Sequence, residues 1–102
     1  MIREKIISDL GKTLEKLNFF SENLVVTKPR LEKFGDYTTA IAFEISQKTN
    51  KQSPLDIAKK IKANFLENDY LEKINVEQRG FINFYLKREF LQSQILEIIS
   101  KK

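Results

Sequence analysis

The segment Phe81-Ile82-Asn83-Phe84-Tyr85-Leu86-Lys87 holds the side chains best suited to contact a ligand. In an extended strand, alternate side chains point to opposite faces. Ile82, Phe84 and Leu86 then form a wholly apolar face, the natural choice for a core. Phe81, Asn83, Tyr85 and Lys87 form the other, with two rings, an amide and an ammonium. That set suits a single-stranded base: a ring stacks on it, the amide bonds to its edge, and the cation meets a phosphate. Gln78 and Arg79 sit just across a turn at Arg79-Gly80 and extend the surface. The competing reading makes Phe81 and Tyr85 cross-strand packing residues beneath a neighbouring helix.

A second segment, Lys33-Phe34-Gly35-Asp36-Tyr37, combines a permissive glycine with a carboxylate that can accept from nearby backbone amides. A structural turn leading into a helix is the favoured reading there. Arg30 and Lys33 beside it are within reach of phosphates, although surface cations usually touch only water.

Catalytic constellations are missing. The chain has no cysteine and no histidine, so disulfides, thiolate metal sites, His-based acid–base chemistry and the common zinc sites are excluded. The three glycines stand far apart at 11, 35 and 80, which leaves no glycine-rich phosphate loop. Nothing in the spacing pairs Asp36 with a second acid. No cofactor or metal is expected in this chain. The 18 Lys+Arg against 14 Asp+Glu give a net charge of +4, a balance that suits an anionic partner such as a nucleic acid. No apolar run approaches the ~18 residues of a membrane span, and no long apolar stretch follows the N-terminus, so neither a membrane segment nor a signal peptide is expected. The absence of cysteine fits a cytoplasmic chain.

The elements that must position these residues fit one domain over 1–102, since 102 residues is too short for two. Ile2, Ile6, Leu10, Leu14 and Leu17 fall on one stripe of a helix over 2–18. Leu24 to Lys28 reads as a first strand ended by Pro29. Tyr37-Thr38-Thr39 reads as a brief second strand, with Thr38 or Thr39 capping a helix over 40–48. Ser53-Pro54-Leu55-Asp56 is a strong helix start, with an N-cap Ser, Pro at the first position and an acid in the first turn. That helix should run to about residue 67, followed by a turn at Asn68-Asp69. Ile74 to Gln78 and Phe81 to Lys87 form a hairpin. A terminal helix over 88–102, with Leu91, Ile95, Ile98 and Ile99 on one face, leads toward a linker. The expected fold is α+β: a small, mostly antiparallel four-stranded sheet with helices packed on one face.

Three of these segments together resemble a known family. Phe34-Gly35-Asp36-Tyr37-Thr38-Thr39-Ala40-Ile41-Ala42-Phe43 looks like the Gly-Asp-Tyr/Phe motif of the N-terminal additional domain of arginyl-tRNA synthetases. Ser53-Pro54-Leu55-Asp56-Ile57-Ala58 is similar to that family's following helix, and Gly80-Phe81-Ile82-Asn83-Phe84-Tyr85-Leu86 to its Gly-Phe-Ile-Asn strand. The motifs occur in the right order and span nearly the whole chain. Two departures stand out: Ala40 replaces a usual Asn, and Arg79 replaces a usual Pro.

The resemblance implies a compact α+β domain that binds the D-loop at the outer corner of tRNA-Arg. It places Phe81 and Asn83 against a D-loop base, with Gln78 as a neighbour. It also implies a longer, cytoplasmic parent enzyme whose other domains bind ATP and arginine, so this chain alone would be no enzyme. A chain without histidine cannot hold the family's class I catalytic signatures. A protein–protein adaptor using the same aromatic face is the alternative from another functional class.

Overall fold

A computed structural model describes residues 2–21, 23–49 and 52–89. Helix α1 spans Ile2–Lys16 and buries Ile2, Ile6, Leu10 and Leu14, the stripe that the sequence spacing predicts. It stops before Asn18, which takes a left-handed conformation (φ 59°) tolerated by a short polar side chain. Strand β1 is only Tyr37–Thr39, and helix α2, Ile41–Thr49, follows at once. The Thr39 hydroxyl accepts from Ile41 N–H at 3.3 Å and donates to the Val25 carbonyl at 2.7 Å. One side chain thereby starts α2 and ties down the segment before β1.

Helix α3, Pro54–Asn64, begins as expected, with Ser53 Oγ accepting from Asp56 N–H at 3.1 Å. It ends three residues short of the expected Glu67. Phe65 leaves the helix in an extended conformation and sets its ring 5.6 Å from that of Phe84. Burying that ring against the sheet outweighs one further helical turn. Asn68 Oδ1 then accepts from both Tyr70 and Leu71 N–H groups, which makes the turn into β2, Leu71–Val76. Strand β2 starts earlier than the hydrophobic pattern suggested, because a register irregularity between Leu71 and Lys73 breaks the alternation. Strand β3 is Ile82–Leu86.

The sheet has three antiparallel strands in the order β1-β3-β2, not four. The expected first strand at 24–28 makes a single bridge, Thr27 to Thr38, with two backbone bonds of 2.9 and 2.7 Å. A three-residue β1 offers little to pair with, and Pro29 has no N–H to continue the ladder. The expected terminal helix over 88–102 lies outside the described residues except for its first two.

The buried apolar residues of α1, α2 and α3 form one cluster with Tyr37, Leu71, Ile82, Phe84 and Leu86. The helices thus share one face of the sheet, in the two-layer arrangement expected. Tyr70 closes this core beside α1: its hydroxyl donates to Asp9 Oδ2 at 2.5 Å. Burial first, then the Asp9 carboxylate, push the phenol above its ordinary pKa of 10.0.

Candidate nucleic-acid interface

Register fixes which side chains share the face away from the helices. Ile82 opposes Thr39 and Val76, and Phe84 opposes Tyr37 and Ile74, all on the core side. Asn83 opposes Thr38 and Asn75, and Tyr85 opposes Lys73, on the other side. The strand reading therefore holds in its faces: Ile82 and Phe84 are fully buried, Leu86 nearly so, and Phe81 and Tyr85 are half-buried.

Phe81 stands at the mouth of the β2–β3 hairpin. Its ring meets that of Phe43, on α2, edge to face at 5.2 Å between centroids. A neighbouring helix does touch it, as the packing reading foresaw, yet the ring keeps part of its surface open. The hairpin turn closes through Gly80 N–H donating to the Glu77 carbonyl at 2.8 Å. Gly80 has φ 103°, and a Cβ there would sit 2.7 Å from Pro54 Cβ, so the turn lies directly against the start of α3. Gln78 and Arg79 project from this turn, both exposed.

Asn83 differs from the open position its place in the strand suggested. It is 1% exposed. It sits on the central strand, flanked on both sides, and both ends of its amide are engaged. Thr38 Oγ donates to Asn83 Oδ1 at 2.7 Å, and Asn83 Nδ2 donates to Glu77 Oε1 at 3.0 Å. A carboxylate only accepts, so this pair fixes which end of the amide faces β2. Strand alternation gives the face of a residue but not what its cross-strand neighbours cover, so the contacts of Thr38 and Glu77 with Asn83 follow only from the assembled sheet.

Tyr85 is held by its hydroxyl, which donates to the Lys33 carbonyl at 2.7 Å. The Lys73 ammonium lies 4.6 Å from its ring centroid. With exposed Lys33, Lys73 and Arg79 and half-buried Lys87, this side of the sheet carries several cations beside two rings. Lys73 became visible as a member only through the register, since β2 was expected to start after it.

The Gly35-Asp36 turn is structural. Gly35 has φ 97°, and a Cβ there would approach the Phe84 carbonyl oxygen to 2.8 Å. Asp36 N–H donates to that carbonyl at 2.9 Å, and Asp36 Oδ2 accepts from Leu86 N–H at 2.8 Å. This turn docks β1 onto β3 and brings Lys33 beside Tyr85. Arg30, like Lys33, is exposed. Ala40, at the first departure from the motif, is exposed and offers its carbonyl to Phe43 N–H at 3.0 Å. Among the described residues no group of acids could hold a metal ion, and no helix is long and apolar enough to cross a membrane.

Comparison with known proteins bears on what such a face serves. A family model described as the arginyl tRNA synthetase N terminal domain matches residues 2–86. An arginine–tRNA ligase from Ureaplasma parvum serovar 3 is 38% identical over 105 residues, covering 100% of this chain and 19% of that protein. The human cytoplasmic arginine–tRNA ligase is 35% identical over 80 residues, covering 74% of this chain and 12% of that protein. The crystal structure of arginyl-tRNA synthetase from Plasmodium falciparum superposes with a TM-score of 0.78 at 27% identity, over 90% of this chain and 17% of that one. The Thermus thermophilus enzyme shares the fold, with a TM-score of 0.75 at 23% identity. The chain thus spans less than a fifth of the length of the relatives it matches. With the model match running from α1 through β3, this chain belongs to the arginyl-tRNA synthetase N-terminal domain family.

Proposed function

We propose that this chain is a tRNA-binding accessory domain, serving a cytoplasmic arginine–tRNA ligase by engaging the D-loop at the outer corner of tRNA-Arg. The observation that carries this reading is the helix-free side of the sheet, where Tyr85 stands among Lys73, Lys33 and Lys87, with Phe81 and Arg79 at its hairpin end. Rings beside cations are what a single-stranded loop requires: stacking surface for bases and positive charge for phosphates. The net charge of +4 supports approach to RNA, and the family membership supports tRNA over other RNAs.

In this reading Phe81 is the stacking platform. Gln78 and Arg79 extend from the turn toward the loop backbone. Tyr85, with Lys73 across its ring, continues the track. Asn83 acts from beneath: its amide holds Thr38 and Glu77 in place, and its remaining hydrogen-bonding capacity is available to a base only when a neighbour gives way. Arginine and ATP are handled by other domains of the ligase, and this domain adds tRNA affinity through linkage to them.

The test is chemical-shift mapping of the chain with a tRNA-Arg transcript at low salt. The expected perturbations centre on residues 78–87 and Lys73. Perturbations centred on α1, with 78–87 silent, would overturn the reading.

A further inference from the structure

Helix α3 carries three exposed lysines, Lys59, Lys60 and Lys62, and among the described residues none of them pairs with a carboxylate. Lys62 lies in the last turn, where a cation also suits the helix dipole; Lys59 lies before that turn and has no such reason to be there. Lys59 and Lys62 are three residues apart, so their side chains share one side of the helix.

From Lys62 an open concavity of ≈ 280 Å³ reaches β2. Lys62 and Lys73 both line it, together with Phe65, Leu66 and Leu71. The exposed acids of this stretch, Glu67, Asp69 and Glu72, do not. Asn68 lines it too, but its amide is spent on the turn: Oδ1 accepts from Tyr70 and Leu71 N–H, and Nδ2 donates to the Leu66 carbonyl at 3.1 Å. The two ammonium groups are therefore the charged side chains at this concavity, and neither has a counter-ion among the described residues. Strand β2 is an edge strand, so no further strand among the described residues covers this side.

Lys73 joins the two regions. Its ammonium lies 4.6 Å from the Tyr85 ring centroid, and the Tyr85 hydroxyl is bonded to the Lys33 carbonyl. A row of cations thus runs from Lys33 through Lys73 and Lys62 to Lys59, around the edge of β2 and onto α3. Unpaired like charges repel one another, and a polyanion laid along them removes that repulsion while releasing its own counterions. An acidic protein surface is the other chemistry such a row could take; continuity with the rings and cations of the sheet face favours the nucleic acid.

We propose that this row is a sequence-independent track for the RNA backbone, with phosphates at the Lys62–Lys73 concavity and at Lys59. The inference rests on the tRNA-binding function above. It adds a second contact region, at the far end of β2 from the hairpin turn and on the helix side, that holds the sugar–phosphate strand and reads no base.

The test uses the 102-residue chain and a tRNA-Arg transcript, with affinity measured over a series of salt concentrations. The double variant Lys59→Gln, Lys62→Gln is compared with Lys12→Gln, Lys16→Gln on α1; each removes two charges from the net +4. All four lysines are exposed and glutamine keeps helix propensity, so melting temperatures should be unchanged. The α3 pair should weaken binding and reduce the slope of log affinity against log salt by about 1.4–1.8, the share of two phosphate contacts. The α1 pair should change that slope by less than about 0.5. Substituting D-loop bases in the transcript should leave the loss from the α3 pair unchanged; a loss that varies with those bases would overturn the backbone assignment. Equal slope changes for the two pairs would reduce the effect to net charge and overturn the track. An α3 pair that binds like the parent, while Phe81→Ala weakens binding, would overturn the track and leave the tRNA-binding function standing. If no variant alters binding, Phe81→Ala included, both fall.

Discussion

Replacing Asn83 by Ala should destabilise the domain far more than its position on the helix-free face suggests. The side chain is 1% exposed and makes two hydrogen bonds. The bond from Thr38 joins neutral groups and contributes about 1 kcal/mol; the bond to Glu77 involves a carboxylate and contributes about 1.5 kcal/mol or more. Glu77 is half-buried and partly recovers water, which holds its share to the lower end. Thr38 keeps a longer bond to the Ile82 carbonyl at 3.2 Å. With loss of packing in a filled site, the total comes to about 3 kcal/mol. For a domain of this size that lowers the melting temperature by about 12–24 °C. Asn75 is the control: it lies directly across from Asn83 but is exposed, and Asn75→Ala should stay within about 0.5 kcal/mol of the parent. Asn83→Asp should be worse than Ala at neutral pH, since it sets a carboxylate against that of Glu77, and should recover on acidification as one of the pair takes up a proton. Circular-dichroism melts of the three variants make the test. An Asn83→Ala melt within about 2 °C of the parent would refute the reasoning, because the two bonds would then carry no net stability.

The two faces of β3 should separate in the same assay: Phe84→Ala should cost about 3–5 kcal/mol from a fully buried ring, and Phe81→Ala only about 1–2 kcal/mol, mostly its edge contact with Phe43. Gly80→Ala should cost at least about 2 kcal/mol in denaturant melts, because φ 103° is strained for alanine and its Cβ would meet Pro54, including its backbone. The Tyr70 phenol is neutral in the folded state well above its ordinary pKa of 10.0, whereas the unfolded chain ionises near that value. The stability it contributes is complete below about pH 10 and is lost as pH rises further; Tyr70→Phe should flatten that alkaline decline in melts taken between pH 8 and 11.

Much of this fold is legible in the residues. The α1 stripe, the Ser53-Pro54 start and the apolar face of β3 follow from periodicity and capping alone, because each is a local preference that the core then satisfies. The misses lie where tertiary contacts override local pattern. Leu24 to Lys28 has the composition of a strand, but its partner β1 is three residues long and allows one bridge. Phe65 has good helix neighbours and leaves the helix to meet Phe84. In the candidate site, Phe81, Tyr85, Gln78 and Arg79 were legible because strand alternation and the turn place them. The burial of Asn83 was not, since it depends on Thr38 and Glu77 arriving from the strands on either side. Nor was Lys73, whose place over Tyr85 follows from a register that no single strand encodes.

The central claim is that tRNA binds across the sheet face that carries Phe81. It is tested most directly by the affinity of a tRNA-Arg transcript for the parent chain and for Phe81→Ala, each measured over a series of salt concentrations. The account predicts that log affinity falls linearly with log salt for both, as phosphate contacts release counterions. It also predicts that Phe81→Ala binds about 5- to 150-fold more weakly at every salt, the loss of one stacked base at about 1–3 kcal/mol. Parallel lines separated by that factor would support the account; superimposed lines for the two proteins would contradict it.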